Sequence, residues 1–541
     1  MNASNQSAQP GSATTSPSGV DSRVFNLLAE AVRSLNGGDG AAAESHLNQA
    51  LAIAPDNPVA CFLLGTSQFQ QRNWIGAEHW LRRALSIRSK PGALEYAESC
   101  RQGESELAMI EYYLGLSLKF QRRYTEALSH LDRAKLIAPH NNQIQGSCAV
   151  VLQHLQRFDD AIAAYEEMLA HDPLDLTTHL QFNELLYRQG RDERFLQSYD
   201  EAARKAPRSA LPLNAKGQFL LKAGRPQEAH EAFRQSLQIA PQDAATLTGL
   251  AHSLEALGDR AGAQALHNTS VLLHADNSDT LVACAGFRLR SGDPLAALKL
   301  AARAHAVQPV DQAALAVLGL CYRALEDERE YLLNDYRSLV RVIDLDPPDG
   351  YADIEAFNRD LASYLDGLHS DVRENFTQTL RGGTRLYDEL FYNGHDLVDR
   401  VRVKIDDAVR RYIATLNVDA AHPFTSRRTA AFSYSGSWSS RISGSGLHVN
   451  HIHPAGWISS AYYVAVPEAA ADRDTQPGWL KFGEPTEDFD PSFTSRLTVQ
   501  PKPGRLVLFP SYLWHGTLPC HSPQNRTTIA FDVVPVRANT R

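Results

Sequence analysis

Residues 447–467 read LHVNHIHPAGWISSAYYVAVP, with three histidines (His448, His451 and His453) directly ahead of an apolar, aromatic run. The β-branched and aromatic content of that run suits a strand. Outward from it, TAAFSYSGSWSSRI (429–442), GWLKFGEP (478–485), RLTVQ (496–500), GRLVLFPSYL (504–513) and RTTIAFDVVPV (526–536) are equally short and are bounded by Gly, Pro or Asn. The pattern predicts a run of antiparallel strands of sandwich or barrel type over about 428–536. The histidines stand at the mouth of one strand, and His515 follows another.

Upstream the chain keeps a different rhythm. Pro139, Pro173, Pro207, Pro241 and Pro309 recur at a 34-residue interval, with Ala275 on the one rung that lacks proline. Ala127, Ala161, Ala229, Ala263 and Ala297 form a second ladder at the same interval, with Phe195 in place of one alanine. Ala43 and Ala77 share the spacing, and the step to Ala127 is longer by 16 residues, which places an insertion near 89–106. Each unit pairs segments such as QIQGSCAVVLQHLQRF (143–158) and EAHEAFRQSLQIAPQ (228–242), apolar every three and four residues and stopped by proline. Length and pattern resemble the tetratricopeptide repeat over 23–343. That resemblance implies an α-solenoid whose concave face binds a protein or peptide, or an array that builds a homo-oligomer.

The rhythm ends at VIDLDPPDGY (342–351), where Pro347, Pro348 and Gly350 mark a boundary, and apolar spacing predicts helix over 352–416. Residues 1–22, rich in Ser, Gly and Pro, read as a disordered tail. The expected architecture is therefore α+β and multidomain.

Composition excludes several classes. A net charge of -9 argues against a nucleic-acid partner, and no stretch is long and apolar enough to span a membrane. Six cysteines without a CxxC pair point to a reducing, cytoplasmic setting. Ser459, Ser460 and His521 lack the elbow and ordered triad of a serine hydrolase. Trp457, Tyr462, Tyr463 and Trp514 read as core or pocket wall.

His451 and His453, two apart, share one face of an extended segment, and His515 supplies a third corner, a grouping that suits a catalytic metal with open positions. Eleven residues past His515 stand Arg526 and, on the same face, Thr528. HIHPAGWISSAYYVAVP and PGRLVLFPSYLWHGTLP, with Arg526, resemble the iron(II)- and 2-oxoglutarate-dependent oxygenases. The resemblance implies a C-terminal double-stranded β-helix (jelly-roll) domain with flanking helices over 350–541. It further implies that His451, His453 and His515 hold Fe(II), that Arg526 and Thr528 hold 2-oxoglutarate, and that dioxygen is used for hydroxylation.

His453 departs from the pattern, since most of these enzymes carry Asp or Glu two residues after the first histidine. Two frames are open: His451 with His453, or His448 with Asn450. The first is preferred because imidazole is the better iron ligand. Three imidazoles also suit a zinc or cupin-like enzyme, and the missing acid suits a repeat scaffold with an inactive oxygenase fold.

Overall fold

The computed structural model describes residues 22–89, 100–191, 194–369, 379–386 and 389–536. Most of the expected tail, and residues 90–99 of the insertion expected near 89–106, lie outside them. The chain divides into two compact units, Met1–Ser147 and Cys148–Arg541.

In the first unit, Gly40–Ile53 follows Ser22–Asn36, Trp74–Arg88 follows Pro58–Gln70, and Tyr124–Ile137 follows Cys100–Phe120, giving helical hairpins. Ala43, Ala77 and Ala127 are fully buried, as close helix crossings require.

The second unit continues the hairpins from Phe158–His171 and Leu176–Arg188 to Pro294–Val307 and Gln312–Ala324. The helix Arg260–Leu273 stops on schedule at the Ala275 rung, so proline marks the turn without being needed to end the helix. What starts the next helix is a capping ladder: Asn141, Asp175, Asp243, Asn277 and Asp311 each accept backbone N–H groups of the first helical turn. The Phe195 rung is the exception. Phenylalanine does not fit where alanine lets helices touch, and a short helix starts only at Gln197, after Leu196 in the left-handed region (φ 68°). The displaced ring packs on Phe219 at 5.3 Å.

Among the described residues, nine strands follow: β1 (Arg341–Asp344), β2 (Leu380–Leu386), β3 (Ala431–His448), β4 (Ile458–Ala465), β5 (Leu480–Phe482), β6 (Leu497–Val499), β7 (Arg505–Pro510), β8 (His515–Thr517) and β9 (Ser522–Val536). They form a six-stranded sheet in the order β1-β7-β4-β9-β3-β2 and a three-stranded sheet, β6-β5-β8, with every pairing antiparallel. β2 corrects the expectation of helix throughout 352–416. Its LRGGTRL sequence has no periodicity of its own and becomes a strand by pairing with β3. Helices Ile354–Asp366 and Asp396–Thr415 flank the sheets.

One hydrophobic cluster runs from Ala297 and Leu315 of the last repeats through Phe357 and Val401 to Tyr462, Leu508 and Val533 of the larger sheet. The helix Gln312–Ala324 is consequently covered on nearly every side, with Ala314, Leu315, Val317, Leu318 and Cys321 all buried.

Two predictions follow from packing in the second unit. The Phe233 ring is held between Gly217 and Gly249, where an added Cβ would lie 2.7 Å and 2.4 Å from it. Gly249→Ala therefore leaves the ring nowhere to go and should lower unfolding stability by about 1–3 kcal/mol in urea titration. His267 is 1% exposed with no partner for either ring nitrogen among the described residues. Burial first, then His252 and Arg290, hold its imidazole at about 3. Because the folded value lies below the unfolded one, the stability present near neutrality should fall as pH drops from about 6.5, by about 1.4 kcal/mol per pH unit. His267→Leu should flatten that part of the urea-midpoint profile.

Candidate metal centre

The centre forms where the two sheets meet. β3 delivers the chain to Val449–Asn450, and His451 then pairs antiparallel with His515, the first residue of β8. The two backbone bonds are His451 N–H to His515 O at 2.8 Å and His515 N–H to His451 O at 3.0 Å. His453 joins them, its N–H donating to Ser511 O at 2.9 Å. One ligating atom from each of the three histidines lies within 4.8 Å of those of the other two.

The outer nitrogens fix the tautomers. His451 Nδ1 is 2.7 Å from Val449 O, His515 Nδ1 is 2.9 Å from Leu513 O, and His453 Nδ1 is 2.6 Å from an Asp532 carboxylate oxygen. Each of these partners only accepts, so each Nδ1 carries the proton and each Nε2 presents a lone pair. His451 Nε2 and His453 Nε2 stand 3.1 Å apart. Two lone pairs at that distance repel unless a cation lies between them, so the donor set fits a metal ion. Burial, then His453, hold the His451 imidazole at about 3. His515 is held well below its usual range by burial, then by His451 and His453. Both are therefore neutral and ready to ligate at neutral pH.

The same cavity is lined by His448, Tyr463, Leu480, Phe509, Arg526 and Thr528. Arg526 is 4% exposed; Nη1 donates to Gly478 O at 2.7 Å, and Nε has no partner among the described residues. Burial pulls the guanidinium below its usual range. None of the described lining residues is acidic, which leaves a buried cation without a counter-charge and suits an incoming carboxylate. Thr528 lies on the same face of β9, opposite Ser440 in β3.

The structure thus brings together all five residues singled out in the sequence. It does not use the frame of His448 with Asn450 in the same way. His448 lines the cavity, while Asn450 turns its amide to Glu484 Oε1 at 3.2 Å and Pro485 O at 2.7 Å. Sequence reasoning missed Asp532. Its signal is an acid inside an apolar strand at an even offset from Arg526 and Thr528, hence on their face.

Residues 436–532, which contain all five residues and Asp532, match the family described as "Putative 2OG-Fe(II) oxygenase". Residues 149–210, 184–244 and 220–282 match tetratricopeptide repeat families. Among solved structures, yeast Tom70 aligns at 12% identity over 58% of this chain and 91% of its own, with a TM-score of 0.32. A tetratricopeptide repeat protein from Parabacteroides merdae aligns at 16% identity over 56% of this chain and 99% of its own, with a TM-score of 0.30. No curated protein matches the chain. Among the described residues, no helix is long and apolar enough to cross a membrane. The chain therefore carries tetratricopeptide repeats and, C-terminal to them, a domain of the 2OG-Fe(II) oxygenase family whose description is given above.

Proposed function

We propose that the chain is an iron(II)- and 2-oxoglutarate-dependent dioxygenase that hydroxylates a protein or peptide presented by its repeats, in a cytoplasmic setting. One observation carries the reading: a single cavity holds three inward-facing imidazole lone pairs and a buried guanidinium without a counter-charge.

His451, His453 and His515 would hold iron(II), and Arg526, with Thr528 beside it, would hold the far carboxylate of 2-oxoglutarate. Bound there, iron(II) supplies the oxidation chemistry, coupling decarboxylation of 2-oxoglutarate by dioxygen to hydroxylation of a C–H bond. The chain's own part is placement. The Val449 and Leu513 carbonyls orient two of the rings, and Tyr463, Leu480 and Phe509 wall the cavity against water. The repeats suit an extended ligand such as a peptide. A three-histidine zinc enzyme is the second reading, favoured by the absence of an acid in the ligand slot at His453.

Anaerobic titration of the purified chain with iron(II) and 2-oxoglutarate should produce the visible charge-transfer band of the chelate. The band should be absent in His515→Ala and in Arg526→Ala. Zinc bound tightly without a band would favour the zinc enzyme, and no metal binding would leave a repeat scaffold. With iron(II) present and oxygen excluded, 2-oxoglutarate at a hundredfold excess over its Kd should stabilise the fold by about 2.7 kcal/mol in urea titration, an increment Arg526→Ala should lose.

A further inference from the structure

The slot two residues after His451, where a carboxylate would complete two histidines, holds His453. An acid is nonetheless attached to that slot from behind. Asp532 places a carboxylate oxygen 2.6 Å from His453 Nδ1. The same oxygen accepts the Ser459 hydroxyl at 2.7 Å, and Ser459 shares a hydrogen bond of 2.8 Å with the Ser511 hydroxyl. Ser511 O in turn accepts the His453 backbone N–H at 2.9 Å, so the path closes on the residue where it began. The ring of contacts is tightly packed: a Cβ on Gly456 would come 2.3 Å from Ser511 Oγ and 3.4 Å from Asp532 Cβ.

The three histidines therefore differ in one respect. His451 and His515 face backbone carbonyls, which are neutral dipoles, while His453 faces a carboxylate. A carboxylate hydrogen-bonded to the outer nitrogen of an imidazole fixes the ring and makes its inner nitrogen a more basic donor. The histidine so treated is the one in the acid's place.

We propose that Asp532 is a positioning residue for the metal centre, supplying through His453 the negative charge that a directly bound acid would bring. It rests on the reading of the three histidines as a metal centre and adds to it the source of that charge.

The test is anaerobic titration of the metal-free chain with cobalt(II), read by its visible ligand-field bands, beside thermal unfolding of the metal-free forms. Asp532→Asn keeps size and an acceptor but removes the charge. It should weaken cobalt(II) binding by about 10- to 100-fold and shift the bands, while the metal-free melting temperature stays near the parent's. Ser459→Ala, which removes one bond to the carboxylate, should fall between the two. Asp532→Asn with the parent's affinity and spectrum would overturn the proposal and leave the metal centre standing. If Asp532→Asn does not fold, Ser459→Ala decides: a parent-like affinity and spectrum overturns the proposal, and an intermediate affinity with shifted bands upholds it. Should His515→Ala bind cobalt(II) as the parent does, the metal centre itself falls and the proposal with it.

Discussion

The site depends on two backbone hydrogen bonds, those that join His451 to His515. His451 follows the longest strand of the larger sheet, and His515 opens the last strand of the smaller one, so this pairing sets two imidazoles on one cavity before any side chain has chosen a rotamer. The approach is close enough to require glycine beside it. A Cβ at Gly516 would lie 2.3 Å from Asn450 Oδ1 and 3.0 Å from His448 O, a backbone atom, and the Asn450 amide is held by its bonds to Glu484 and Pro485. Local chemistry then finishes what the pairing began, since each outer ring nitrogen meets an acceptor and each inner one is left to face the cavity.

The repeats are part of what holds that arrangement. The helix Gln312–Ala324 packs into the core it shares with the sheets, and the contacts around it are specific. Arg323 donates to Gly483 O and Thr494 O, both at 2.7 Å, and Arg496 makes a two-pronged pair with the buried Glu330. Tyr512 donates to Leu333 O at 2.6 Å. Buried polar bonds of this kind add little net stability after desolvation, and their value lies in fixing one docking geometry. The Arg323 and Arg496 contacts grip the segment between β5 and β6, which also carries the Glu484 and Pro485 acceptors of Asn450, the neighbour of His451. The end of the array and the metal centre are thus braced against each other through one loop.

Much of this was legible in the chain itself, for reasons that are local. A helical hairpin repeats its alanine contacts and its Asp or Asn caps every 34 residues because each hairpin solves the same crossing and the same exposed N–H groups. A strand declares itself through β-branched and aromatic residues, and even spacing tells that Arg526 and Thr528 share a face. The Phe195 rung announced a break in the pattern, though not that the helix would begin later.

What the sequence determined, then, is everything set by neighbours along the chain: the helical period, the strand segments, and an extended segment that offers His451 and His453 to one side. Only the tertiary structure decided the rest. LRGGTRL became a strand because β3 offered an edge, Asp532 reached His453 because β9 runs beside β4 and β3, and the repeat helix Gln312–Ala324 lost its exposed face because it packs into the core it shares with the sheets. Such pairings join residues far apart in sequence, and no local propensity or spacing records which distant edge or face a segment will meet.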